Sequence, residues 1–391
     1  MTQNTTRKKR NYGEGSIYFA EANNKWVAKY KPEGWSKPKI FYATTETEVR
    51  RKLKQFKKES SKQTLIEIQK MPVKEYMDDW LTKVKTLELK PKSYDRLEDT
   101  LKNQIYPTLG DIQIHALTPD DIQGLIKHLL DEGYSYSTIK KTYEAFDGCF
   151  KLGVEKGDLS GNPATGVKLP TKIKISKKAR SKKIRFFSDE EVKAIYNECL
   201  IEYKHGKRGY RLSQALIILL YTGIRIGELL GLKWEHVDFD NKTIEIVESV
   251  VLVRARKDEK TKYILHEQDD TKTEAGDGRV IPLNKKAMAA LQQLHDINGK
   301  WDYVAANTNG TVVRPRNFDR MIRNILKKCE IEPCGAHVFR HTFASMLFKK
   351  GIDVKYVSEL LGHASIEITY DTYIHLIEAQ KKQIIAILDE L

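Results

Sequence analysis

The sequence predicts a multidomain protein, mainly α-helical with small β-sheets: an N-terminal three-stranded sheet plus helix, a helical bundle, and an α+β module ending in a tail helix. Three observations carry this. The chain has 391 residues, more than one core of ordinary size organises. Period-two alternation is confined to short stretches near residues 15–45 and 243–283, while apolar spacing of three and four dominates elsewhere. Basic charge is clustered, with 16 Lys and Arg against 6 Asp and Glu in residues 1–62 and 9 against none in residues 164–187, of a net +15.

In chain order, GSIYF (15–19), KWVAKYK (25–31) and KIFYATT (39–45) read as three short strands separated by Asn23-Asn24 and by a Pro-Glu-Gly turn. Alternation puts Trp26, Ala28 and Tyr30 on one face of the middle strand, and Val27, Lys29 and Lys31 on the other. The helix-period run at 45–59 should back the aromatic face with Val49, Leu53 and Phe56. Segments near 73–86, 91–106, 119–132 and 136–156 read as helices of a bundle, with Thr118-Pro119 a strong helix start. The lysine-rich stretch that follows has no apolar period and reads as an extended linker. At Ser188, SDEE forms a capping box with Glu191. Helical patterns run to about Lys233; residues 243–255, 263–267 and 279–283 then read as one small antiparallel sheet, before helices resume.

Composition excludes several classes. The hydrophobic share of 40% and charged share of 31% are those of a globular protein rather than a disordered or fibrous one. The longest apolar run, Ala215 to Tyr221, is far short of the ~20 residues that cross a bilayer. The polar, basic N-terminus does not read as a secretory signal. Four cysteines are scattered, and Cys329 and Cys334 have neither the short spacing nor the histidine partners of a zinc site. All four read as reduced thiols of a cytoplasmic protein. Two basic segments beside folded modules point to a polyanion, whose counterions are released on binding.

Two apolar helical runs carry arginines that need an anion. In YTGIRIGELLGLKW (221–234), Arg225 and Glu228 are three apart, so on a helix they meet. In AHVFRHTFASML, His337, Arg340 and His341 share a face opposite Phe339, Phe343 and Met346. Arginine's planar fork can grip two phosphate oxygens and stabilise the charge of a pentacoordinate transition state. No carboxylate cluster spaced for Mg²⁺ stands near these motifs, which disfavours a metal nuclease. Serine, cysteine, a metal-bound water or tyrosine could attack.

TGIRIGELLGLKW, DTKTEAGDGRVIPL, HVFRHTFAS and LLGHASIEITYDTYIH, in this order, closely resemble the four signature regions of the tyrosine recombinases, or phage-type integrases. The resemblance covers the chain from about Ser188 and extends, less specifically, into IYPTLGDIQIHALTPDDIQ. It implies an arm-site DNA-binding domain at 1–62, similar to integrases of Gram-positive temperate phages and conjugative transposons. A core-binding helical domain at 63–163, a basic linker at 164–187 and a catalytic domain at 188–391 follow. It implies Arg225 and Arg340 as the phosphate clamp and Lys272 as the acid for the departing 5′ oxygen, with Lys262 the competing candidate. His337 and His363 match auxiliary positions, and Glu228 the acid that orients the first arginine. Tyr373, followed by Ile374 and His375, matches the nucleophile; Tyr370 reads as a packing residue or substrate contact. DNA contacts are expected from Lys29, Lys31, Lys172, Lys174, Lys177, Lys178, Arg180, Lys182 and Lys183.

The implied reaction is attack of Tyr373 on a phosphodiester to form a 3′-phosphotyrosyl link, with no metal and no other cofactor. The implied partners are double-stranded DNA at core and arm sites and a homotetramer assembled on it. An excisionase and a host DNA-bending protein are further partners open to such a protein. The amphipathic segment EAQKKQIIAILDEL could dock on a neighbouring protomer or on its own. A type IB topoisomerase would share the chemistry, but a sequence-specific arm domain argues against it. A regulator with a dead site would have lost one of the named groups, and none is missing.

Overall fold

The computed structural model describes residues 15–31, 37–171, 184–203, 207–256, 263–268 and 278–373. It divides into two compact units, residues 1–180 and 181–391. In the first, β1 (Ser16–Ala20), β2 (Lys25–Tyr30) and β3 (Lys39–Ala43) form an antiparallel sheet with β2 central. Ile17, Trp26, Ala28, Tyr30, Phe41 and Ala43 pack with Val49 and Leu53 of α1 (Glu46–Lys70), and the Phe56 ring lies 5.2 Å from that of Phe41. On the opposite face Val27 is buried between its cross-strand partners Tyr18 and Tyr42. That face is therefore partly apolar rather than simply lysine-bearing. Helix α1 outruns the expected 45–59 and stops where Pro72 forces Met71 into an extended conformation (φ −66°, ψ 138°).

The bundle follows the predicted pattern closely. Its helices are α2 (Val73–Trp80), α3 (Pro91–Thr100), α4 (Pro119–Asp131) and α5 (Tyr136–Lys156). Helices α2 and α3 each continue through a π-helical turn, Leu81–Lys85 and Leu101–Ile105. Thr118 and Asp121 form the capping box that starts α4. The core reaches Ala164, with Val167 and Leu169 packed against it. Gln123 ties down the next turn of chain, donating to the Lys168 carbonyl (3.1 Å) and accepting from its N–H (2.8 Å).

The second unit opens with α6 (Asp189–Leu200), capped by Ser188 and Glu191 as expected. After the two-residue strands β4 (Glu202–Tyr203) and β5 (Lys207–Arg208) comes α7 (Ser213–Thr222), almost wholly buried. Around it pack α6, α9 (Lys285–Asn298) and α11 (His337–Lys349). Short α8 (Ile226–Gly231) leads to β6 (Val237–Asp238), β7 (Thr243–Ile246), β8 (Ser249–Arg254), β9 (Tyr263–Gln268) and β10 (Arg279–Pro282). The single sheet expected here is two sheets. The run 243–255 breaks at Val247-Glu248, so β7 pairs with β6 and β10, while among the described residues β8 pairs only with β9. Helix α10 (Pro315–Lys328) precedes α11, and α12 (Val354–Leu361) precedes a helical stretch at 366–373.

Candidate active site

The site is assembled around two helix C-terminal ends, at Gly223 and Gly362. Helix α7 ends at Gly223, whose backbone is left-handed (φ 66°). The chain then enters α8 through Arg225, which is extended (φ −74°, ψ 153°) and sits at the N-cap rather than inside a helix. Glu228, on the first turn, accepts from the Arg225 N–H (2.8 Å) and from its Nη1 (2.7 Å). The Arg340 guanidinium, buried on α11, donates through Nη1 to the Gly223 carbonyl (2.9 Å) and through Nη2 to that of Leu361. Arg225 Nη2 donates to the next carbonyl, Gly362 (3.1 Å). The two guanidiniums thus hold two consecutive peptide carbonyls.

Beyond Gly362 stands His363, whose Nδ1 lies 2.6 Å from Thr369 Oγ1. Tyr373 is only 1% exposed; its hydroxyl lies 2.7 Å from His341 Nδ1 and its ring 5.4 Å from that of Phe348. Tyr370 is 36% exposed. His337 begins α11, exposed, with its ring centroid 6.3 Å from that of His341. The structure therefore brings Arg225, Glu228, Arg340, His363 and Tyr373 into one cluster, with His337 at its edge. Lys272 lies outside the described residues, as do Lys172, Lys174, Lys177, Lys178, Arg180, Lys182 and Lys183. Lys29 projects from the outer face of β2, 5.5 Å from the Tyr18 ring, and exposed Lys31 follows that strand.

One residue bonded into this cluster escaped the sequence reading, and a second was named without its partner. Arg279, the first residue of β10, donates to Glu228 Oε2 (2.6 Å) and Oε1 (3.3 Å) and to the Leu360 carbonyl (3.2 Å). A signal existed: Ile281 and Leu283, two and four positions on, are buried while Val280 is 56% exposed, so alternation points Arg279 inward. His341 was seen on the correct face, but its bond to Tyr373 depends on a contact across 32 residues.

Electrostatics follow from burial among like charges. Burial, then the charge of Arg225, pushes Arg340 down to about 9, so it stays cationic at neutral pH. Burial would raise the Glu228 carboxyl, but Arg279 and then Arg225 outweigh it and hold the group below its usual range. Burial also raises the Tyr373 phenol, opposed by Arg340. His363 is pushed down to about 4 by burial, then by Arg340 and Arg225. His341 falls to about 4 by burial, then by His337 and Arg340. Both imidazoles are neutral at pH 7 and can accept a proton.

Residues 185–380 match the Phage integrase family and residues 73–130 its N-terminal SAM-like domain. The chain belongs to the phage integrase family. A tyrosine recombinase XerC-like protein of Caldanaerobacter subterraneus is 29% identical over 90% of this chain and 92% of the relative. The ICEBs1 integrase of Bacillus subtilis is 24% identical over 78% and 79%. Among solved structures, the Tn1549 transposon integrase in complex with circular intermediate DNA is 21% identical. It covers 80% of this chain and 100% of its own, with a TM-score of 0.60. A lambda integrase tetramer bound to a Holliday junction covers 89% and 95%, at 17% identity and a TM-score of 0.54. At those identities the solved structures establish the fold.

Two predictions concern the stability of the integrase. Gly223→Ala would set a methyl 2.3 Å from Phe343 Cδ1 in a left-handed backbone. The backbone cost is about 1–2 kcal/mol and the overpacking cost roughly 1–3 kcal/mol. The denaturation midpoint should drop accordingly; an unchanged midpoint would contradict the close approach. The second concerns acid. Unfolded imidazoles take up protons near 6.5, whereas His341 and His363 in the folded chain do so only near 4. Between those values the unfolded state binds more protons, so their contribution is full above pH ~6.5 and lost as pH falls toward 4. Denaturant midpoints measured from pH 7 to 4 should decline, less steeply in His363→Gln, and a flat profile would refute the assignment.

Proposed function

We propose that this integrase is a site-specific DNA recombinase that cuts and rejoins DNA through Tyr373, integrating and excising a mobile element. The observation that supports the reading is that Arg225 and Arg340 hold the consecutive Gly362 and Leu361 carbonyls, with His363 next in the chain and the buried Tyr373 phenol on His341, the neighbour of Arg340. Two cationic forks on consecutive carbonyls suit a phosphodiester whose charge rises as the fifth oxygen approaches. The Tyr373 oxygen attacks phosphorus, its proton passing to a neutral histidine, and the P–O5′ bond breaks. A 3′-phosphotyrosyl link remains, and the 5′ oxygen takes a proton, in our reading from Lys272. The hydroxyl of a partner strand reverses the step; the phosphodiester bond energy is conserved, so neither ATP nor metal takes part.

In this reading residues 1–62 bind arm sites through the face bearing Lys29 and Lys31. Residues 63–163 and 188–391 each bind the core site, and the basic linker 164–187, whose first residues through Leu169 pack on the bundle, adds positive charge for the phosphates. Four protomers act on two duplexes in the bacterial cytoplasm, at the nucleoid, with an excisionase and a host DNA-bending protein as accessory partners. The test is a nicked suicide duplex carrying an end of the element. A slowly migrating adduct on a denaturing gel, followed by strand exchange between two intact duplexes, supports a recombinase. An adduct with supercoil relaxation and no exchange would instead indicate a topoisomerase, and no adduct at all would refute both.

A further inference from the structure

The C-terminal end of α12 receives three arginines on three successive carbonyls. Arg279 Nε donates to Leu360, Arg340 Nη2 to Leu361 and Arg225 Nη2 to Gly362. The carbonyls just upstream accept backbone donors: Gly362 N–H bonds Glu359 (2.9 Å) and His363 N–H bonds Ser358 (3.2 Å), as a left-handed Gly362 (φ 62°) allows. A helix C-terminus carries partial negative charge, about half an elementary unit, and here it faces three guanidiniums. Glu228, 2% exposed, is gripped by two of them, Arg225 and Arg279. The arrangement is a closed ring: Arg225 to Glu228 to Arg279 to the Leu360 carbonyl, and along the backbone to Gly362 and Arg225 again.

We propose that Arg279 is a positioning residue for strand cleavage, acting through Glu228 on the Arg225 guanidinium and through the Leu360 carbonyl on the turn that holds Arg340 and begins His363. This rests on the proposed function. With its side chain 7% exposed against 20% for Arg225, Arg279 is the more enclosed of the two arginines on Glu228. Lysine could keep the charge but not the fork that reaches both Glu228 oxygens and a carbonyl at once. Removing it leaves a buried carboxylate with one cation and lets the Arg225 fork rotate.

The experiment is single-turnover cleavage of the nicked suicide duplex by the full-length protein, with DNA affinity measured separately at one salt concentration. Arg279→Gln and Arg279→Lys should each slow the rate at saturating DNA by about 10–100-fold, the range for removing groups that orient a site's ligands, while affinity moves less than about threefold. In an Arg225→Lys background, where the fork to be oriented is gone, Arg279→Gln should add less than about threefold, because coupled residues are not additive. Folded variants that cleave within threefold of wild type would overturn the proposal. So would equal losses of rate and affinity, additivity with Arg225→Lys, or failure of both variants to fold, each of which makes Arg279 a general structural residue. Wild-type protein giving no adduct would defeat the proposed function instead, so the two failures are distinct.

Discussion

A protein carrying Tyr373→Phe should bind its DNA and form no covalent adduct. The change removes one oxygen. The ring keeps its enclosed position against Phe348, so the packing around it persists. What is lost in stability is the hydrogen bond to His341, about 1 kcal/mol, too little to unfold a protein of this size. What is lost in chemistry is the nucleophile. Denaturing gels of the suicide-substrate reaction should show background only, with mobility shifts and melting close to wild type. Tyr370, 36% exposed and three residues earlier, is the internal control: Tyr370→Phe should keep adduct formation. An adduct surviving in Tyr373→Phe would move the reaction to another residue.

Arg340→Lys should slow cleavage by about 10²–10³-fold, the cost of deleting one oriented donor to a developing negative charge. The guanidinium is held from two sides, by the Gly223 and Leu361 carbonyls. An ammonium is a single point on a flexible stem and cannot span both while facing a phosphate. The loss should appear in the rate at saturating DNA more than in affinity, since many other cations contribute to binding and only a few touch the scissile group. A folded Arg340→Lys protein cleaving within threefold of wild type would show that this guanidinium does not meet the phosphate.

Much of the architecture was legible because its signals are local. Ser188 with Glu191 and Thr118 with Asp121 announce their helices through side-chain bonds three residues apart. The strand pattern of 25–30 likewise sorts Trp26, Ala28 and Tyr30 from Lys29 without knowledge of what covers them. Arg225, Glu228, Arg340, His363 and Tyr373 could be named from motifs in order. The split of 243–255 into two sheets could not. Both halves alternate, and the break at Val247-Glu248 depends on which strand each half finds.

The sequence alone determined the element order, the basic segments and the identities of the residues carried by its motifs, because these follow from neighbours in the chain and from side-chain chemistry. Tertiary structure decided that Arg225 caps a helix instead of lying within one. It also decided that Arg279 shares its carboxylate, and that three arginines from three separate elements end on consecutive carbonyls of a fourth. The bonds of Arg279, Arg340 and Arg225 to that carboxylate and those carbonyls join residues 21 to 137 positions apart. No local propensity encodes them, since they exist only once buried helices have closed the chain and each stranded charge must find a partner.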